Sequence, residues 1–213
     1  MKATIFSTYM SNIDLEVVAY QKKCVEKFLP EGWEFKQICH AKTHPAALAD
    51  CVKINKNPVT VFLDIDCIPL SDRSFNYLLD SRWAIMAGAL VGAAQRANHI
   101  ANGKHIYVGP FCMAFCNDTY KELGSPDFKE TYRGDVGEEL TYKWQESGKP
   151  VYFLWPSYVQ KPMWNLIDNV TQFGYGTVYE DLFYHTFCIR AAVMKGVFVS
   201  KCREILAQEE VVA

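Results

Sequence analysis

The stretch Val59-Thr-Val-Phe-Leu-Asp-Ile-Asp-Cys-Ile-Pro-Leu70 sets an apolar, β-branched run directly before two aspartates one residue apart. A run apolar on both faces is the pattern of a central strand buried in a parallel sheet. Residues two apart in a strand project on the same side, so a strand carried through Asp66 would set Asp64 and Asp66 on one face, in line with Thr60 and Phe62. Parallel sheets take ligands in the crevice beyond the carboxyl ends of their strands, which is where the acidic pair would lie. Two carboxylates that close repel each other unless a cation sits between them. A strand-end aspartate capping the next turn accounts for one of the two and not for both.

Upstream of this run, Lys2 to Tyr9 opens with the short strand Ala-Thr-Ile-Phe and closes on the polar cluster Ser7, Thr8 and Tyr9 at its carboxyl end. Ser11 or Asn12 can cap a following helix, in which Leu15, Val18, Val25, Phe28 and Leu29 recur at helical spacing until Pro30. Trp33 to Cys39 reads as a second strand, His40 to His44 as a polar loop, and Pro45 as the first turn of a helix reaching about Ile54. Downstream, Pro69 forbids further ladder bonding, and Ser71 caps a helix carrying Phe75, Leu78 and Leu79. Trp83 to Ala87 reads as a strand, with Gly88 beginning the turn. Ile106 to Phe115 is extended with an interruption at Gly109 and Pro110, and Asp118 to Leu123 is a short helix stopped by Gly124. From Asp135, the residues Val136, Leu140 and Trp144 stack on one helix face, and after Gly148 and Pro150 the segment Val151 to Leu154 is a strand. Strands alternate with helices through about Leu79, which predicts an α/β domain with a central, mostly parallel sheet flanked by helices.

The chain has 213 residues, half of them hydrophobic, which fits one large domain or two small ones and is enough to build a substantial core. A net charge of −2 gives no basic field for nucleic acid or anionic lipid. The eight cysteines, Cys24, Cys39, Cys51, Cys67, Cys112, Cys116, Cys188 and Cys202, form no Cys-x-x-Cys pair and sit mostly in apolar runs, so they read as reduced core thiols. Met1 to Met10 lacks the apolar stretch of a signal peptide, so a cytoplasmic start is expected. The longest apolar run, Trp83 to Ala94, is broken by Gln95 and Arg96 well short of the roughly 20 residues of a membrane span, and reads as a buried strand and turn.

Phe-Leu-Asp-Ile-Asp-Cys-Ile-Pro, placed after two strand and helix units, resembles the Asp-x-Asp motif of GT-A fold glycosyltransferases. Three further segments carry the resemblance over about residues 2 to 190. The run from Gly109 to Pro126 is similar to the segment those enzymes set beside the donor sugar. Gly134-Asp-Val-Gly-Glu-Glu-Leu140 is similar to their second acidic segment, and Tyr184-His185-Thr-Phe to the late histidine of their metal site. A closer similarity is to glycosyltransferases of large algal viruses, which would act in a host cytoplasm.

This resemblance implies a single Rossmann-like GT-A domain over residues 1–213, with nucleotide binding in about residues 1–70 and donor-sugar and acceptor binding in about 71–213. It implies a UDP-sugar donor, UDP-glucose or another UDP-hexose or UDP-deoxyhexose, a glycan or glycoprotein acceptor, and a metal held by Asp64, Asp66 and His185. The ion would be Mn2+, with Mg2+ the alternative, because Mn2+ accepts imidazole more readily. Ser7, Thr8, Tyr9 and Asp64 would hold the nucleoside. Arg190 and Lys195 would hold the diphosphate, although the His-x-x-Gly-x-x-Lys spacing of some relatives is missing. Asp135, Glu138 and Glu139 would act on the acceptor hydroxyl or the donor sugar. Asp135-x-x-Glu138 also has the form of a helix-capping pair, and Glu139 can pair with Lys143. The combination of Asp-x-Asp with a late histidine resembles retaining families more than inverting ones.

Trp155, Tyr158, Trp164 and Tyr175 suit an acceptor groove or a core. His40, Lys42 and His44 read as a loop cluster without metal-ligand spacing, and His99 and His105 carry no signal. Two other readings fit parts of the pattern. One is a haloacid-dehalogenase-like phosphatase with Asp64 as nucleophile and Asp66 as acid or base. The other is a non-catalytic module that binds nucleotide sugar or glycan.

Overall fold

The computed structural model of the chain describes residues 2–98 and 105–208, so His99 lies outside the described residues. Strands β1 (Ala3–Tyr9), β2 (Glu34–Cys39) and β3 (Val59–Leu63) are linked by helices α1 (Leu15–Lys27) and α2 (His44–Ile54) and run parallel. Three more strands, β5 (Leu90–Arg96), β6 (Ile106–Cys116) and β7 (Val151–Leu154), complete a six-stranded sheet of order β2-β1-β3-β6-β5-β7. Only β6 runs against the others. The chain order turns back between β1 and β3, the kind of place where open α/β sheets bind ligands.

Every residue of β3 is buried, as its two-sided apolar pattern requires. Val59, Val61 and Leu63 join the core beneath α1, α3 (Asp72–Asp80) and α4 (Arg82–Met86). Phe62 points to the opposite core, with Leu48 and Cys51 of α2, Tyr120 of α5 (Asn117–Glu122), and Leu140 and Trp144 of α6 (Glu138–Glu146). A second sheet of order β4-β10-β9-β8 joins β4 (Cys67–Pro69), β10 (Phe183–His185), β9 (Thr171–Tyr179) and β8 (Pro156–Ile167). Leu166 and Phe173 of this sheet pack on Ala94, and α7 (Ala192–Ala207) packs on α1 through Phe198, Cys202 and Ile205.

Five local expectations are corrected. The strand expected at Trp83 to Ala87 is helix α4, and the strand starts at Leu90; an apolar run this short has no periodicity that separates helix from strand. Helix α1 is capped by Asp14, whose side chain accepts from the Glu16 N–H at 2.8 Å, in place of Ser11 or Asn12. Its inner face is Val17, Gln21, Cys24 and Val25, while Leu15 lies in solvent. Pro69 does not end ladder pairing, because it sits in β4 opposite Phe183. Six cysteines are buried thiols as expected, but Cys39 and Cys188 are exposed. Gly109 and Pro110 do interrupt the pairing of β6: Met113 pairs with Gly92 and Val108 with Ala94, so the intervening residues bulge out opposite Ala93.

Candidate functional site

The two aspartates come together through a turn. β3 ends at Leu63, and the Cys67 N–H donates to the Asp64 carbonyl at 2.9 Å, closing Asp64 to Cys67. The turn is anchored on both sides. The Asp64 N–H donates to the Phe111 carbonyl at 3.0 Å. From α1, the fully buried Gln21 donates Nε2 to the carbonyls of Asp64 at 2.6 Å and Cys67 at 3.1 Å, and its own Oε1 accepts from Gln37 at 2.8 Å. Gln21 carries no sequence signal, because a glutamine inside an amphipathic helix reads as a solvent-facing residue.

His185 reaches the turn through β10, which pairs with β4 so that His185 lies opposite Cys67. Its Nε2 is 3.1 Å from Asp66 Oδ1. The imidazole is clamped by aromatic rings, stacked on Phe111 at 4.1 Å and 13° and against Phe187 at 3.9 Å. Both His185 and Asp66 are buried. Among the described residues, Asp64, Asp66 and His185 form a group whose potential ligand atoms all lie within 4.8 Å of one another. Ligands of one octahedral ion with bonds of about 2.1 Å lie roughly 3 to 4 Å apart, so small side-chain adjustments would let these three hold a divalent cation.

A fourth group completes the cluster. His44, the first residue of α2, sets Nε2 at 3.2 Å from Asp64 Oδ1. Burial pushes the Asp64 carboxyl up, but His44, and then His185, outweigh burial and hold it below the usual carboxylate range. Burial likewise pushes His44 down, and Asp64, with smaller contributions from Asp66 and Asp135, carries it above the ordinary imidazole value.

The acidic turn sits at the seam of two cavities. One, of about 450 Å³, is lined by Thr8, Tyr9, His40, Ile189 and Arg190, together with His44, Asp64 and Asp66. The other, of about 300 Å³, shares His44, Asp64 and Asp66 and adds Tyr107, Asp135 and His185. Asp135 and Phe187 lead on to a third, of about 310 Å³, walled by Trp164 and Phe173 and rimmed by Gln95 and Asn98.

The expected site residues divide accordingly. Thr8 and Tyr9 line the first cavity, and the Thr8 hydroxyl is buried with no partner. Ser7 is buried and does not line that cavity. Arg190 lines the cavity. Lys195 does not, because its Nζ is held by Asp14 at 2.6 Å and Glu16 at 2.9 Å, and these carboxylates raise its ammonium above the usual range. Under the UDP-binding role proposed below, Lys195→Ala is expected to leave UDP affinity unchanged in calorimetry, while Arg190→Ala, removing a charge-assisted contact, weakens it roughly tenfold.

Of the three later acids only Asp135 faces the cleft. Its Oδ1 accepts from the Val136 N–H at 2.7 Å and its Oδ2 from the Tyr107 hydroxyl at 3.1 Å. Burial first, and then Asp135, push the Tyr107 phenol well up, which keeps it a donor. Glu138 is buried, accepting from the Asp135 N–H at 2.9 Å and meeting His105 Nδ1 at 2.9 Å. Glu139 is clamped by Arg133 at 3.0 and 2.5 Å, with Lys143 farther away at 4.0 Å. Both shape the start of α6. Trp155 and Tyr158 lie outside the third cavity, whose aromatic wall comes from the β8–β9 hairpin and Phe187.

The sequence matches no protein-family model and no curated protein. In structure, the chain is similar to a mutant Drosophila β-1,4-galactosyltransferase 7 in complex with manganese, UDP-Gal and xylobiose, with a TM-score of 0.51 at 12% identity over 86% of this chain and 70% of that one. That likeness shows a GT-A-like α/β fold. A glycosyltransferase from Streptococcus pneumoniae follows at TM-score 0.47 and 11% identity, covering 72% of this chain and 45% of that one. CMP:2-keto-3-deoxy-manno-octonic acid synthetase with CTP gives TM-score 0.47 at 10% identity, over 72% and 89%. The resemblance to algal-virus enzymes finds no support among these structures. No helix among the described residues is long and apolar enough to cross a membrane.

Proposed function

We propose that the chain is a metal-dependent glycosyltransferase that moves a sugar from a UDP-sugar, UDP-glucose or another UDP-hexose, to a glycan acceptor. The observation that carries this reading is the convergence of Asp64, Asp66 and His185 where two cavities meet at the sheet's carboxyl edge. A divalent cation bound there supplies Lewis-acid stabilisation of the negative charge that grows on a diphosphate leaving group. Two carboxylates with one imidazole favour Mn2+ over Mg2+, in line with the manganese and UDP-Gal of the similar Drosophila structure.

The protein groups around that centre have separable tasks. Tyr9 offers a ring to the nucleoside in the first cavity, and Arg190, which lines the same cavity, offers a guanidinium to the diphosphate. Trp164 and Phe173 offer apolar faces to the C–H side of an acceptor sugar. Asp135 stands between these regions, lining both the second and the third cavity. With each of its oxygens already accepting a hydrogen bond, Asp135 is better suited to orient a sugar hydroxyl than to take its proton, which agrees with a retaining outcome.

Asp135→Asn is accordingly expected to slow transfer on the order of tenfold and to leave UDP affinity unchanged. Loss of a general base would cost about 10²-fold or more, and NMR of the product anomer reads the stereochemistry directly. The function itself is tested by incubating the chain with a panel of UDP-sugars and Mn2+: slow release of UDP supports it. Mg2+-dependent hydrolysis of an aryl phosphate that Asp64→Asn abolishes would favour the phosphatase reading. UDP binding without turnover on any acceptor would leave a binding module.

A further inference from the structure

We propose that His44 is a positioning residue for the metal centre, holding one oxygen of the Asp64 carboxylate so that the other is presented to a divalent cation. The inference rests on the metal reading above and assigns a role to a residue with no ligand spacing in the sequence. The backbone of Asp64 is already fixed, its N–H by the Phe111 carbonyl and its C=O by Gln21. Its side chain is not: it is 25% exposed, against 9% for Asp66 and 4% for His185, so packing holds the latter two and leaves Asp64 loose. The terminal torsion of an aspartate is broad and two-fold, and among the described residues the ion-pair partner of the Asp64 carboxylate is His44, with Nε2 3.2 Å from Oδ1.

His44 is itself well placed to act as a fixed point. It opens α2, and Pro45 after it locks the backbone at the start of the first turn. Its ring lines both cavities of the seam, so it stands beside the centre and not behind the sheet. A carboxylate oxygen only accepts, so the proton of this contact is on His44 Nε2. His44 lies outside the group of mutually close ligand atoms formed by Asp64, Asp66 and His185, which separates its task from theirs. Partners of this kind set the orientation of a ligand, and their loss typically weakens metal binding by about 10- to 100-fold.

The test uses the full chain and Mn2+ alone, following the free-ion signal by electron paramagnetic resonance in wild type, His44→Ala and His44→Gln. Melting curves without metal confirm that each variant is folded at the titration temperature. His44→Ala is expected to weaken Mn2+ binding by about 10- to 100-fold. His44→Gln, whose amide N–H reaches as far as Nε2, is expected to recover most of the loss. Wild-type affinity or tighter in His44→Ala overturns the proposal, as does a glutamine variant no better than the alanine one. No saturable Mn2+ binding by wild type would instead overturn the metal reading itself, and the inference with it.

Discussion

Asp66→Ala is expected to abolish the Mn2+-dependent part of UDP binding. Asp66 is the most enclosed carboxylate of the cleft, facing His185 Nε2 at 3.1 Å, and its carbonyl accepts from the N–H of Thr186, the residue after His185, at 3.1 Å. Removing it takes away one of the three proposed metal ligands and leaves His185 without its partner. A dication between the diphosphate and the carboxylates replaces their repulsion by attraction, so the loss in affinity should be on the order of 100-fold. Asp66→Asn preserves size and should behave almost as badly, because an amide oxygen carries no charge. The variant should still fold, because the site's two carboxylates repel each other when no cation lies between them and deleting one relieves that repulsion. In melting experiments Mn2+ should stabilise wild type by mass action and leave Asp66→Ala unmoved.

The largest expected effect on stability is at Gly92, on β5. A Cβ added there would lie 2.1 Å from the Cys112 carbonyl oxygen, 2.6 Å from Val108 Cγ1 and 2.9 Å from Met113 Cα. Two of these are backbone atoms of β6, so relief requires separating two paired strands at the edge of the bulge that carries Phe111 towards His185. Gly92→Ala should cost about 3 kcal/mol or more, a fall of roughly 6–12 °C in melting temperature. Gly196, inside α7, is the internal control. Its added Cβ meets nothing within 4 Å, so Gly196→Ala should stabilise the protein by about 0.5–1 kcal/mol. Calorimetric melting of both variants checks the pair of predictions, which differ in sign.

Much of the first half of the fold is legible in the sequence because its signals are local. The two-sided apolar run of β3, Pro45 at the start of α2, Pro30 after α1 and Gly124 after α5 each dictate backbone conformation within a few residues. The acidic pair is legible for the same reason, although a turn and not strand alternation brings the two carboxylates together. His185 is different: nothing near it in sequence marks it, and only resemblance to a family singled it out. What places it is the pairing of β10 with β4 across more than a hundred residues of chain. His44 and Gln21 belong to the same class, each set against Asp64 by tertiary packing that leaves no trace in local spacing. Lys195 shows the converse. A lysine following His185 looks available, but Asp14 and Glu16, distant in sequence, already hold it. The β8–β9 hairpin, which builds the aromatic wall, was hidden because its exposed and buried positions do not alternate cleanly through three register shifts.

The central claim is that Asp64, Asp66 and His185 form a metal centre that binds a nucleotide diphosphate. Calorimetric titration of UDP into the wild-type chain, once with Mn2+ and once with EDTA, tests it most directly, with GDP and CMP as comparison ligands. Saturable binding of UDP with Mn2+ that weakens about 100-fold or more in EDTA is the predicted result. UDP binding that is absent under both conditions, or equal in both, would contradict it.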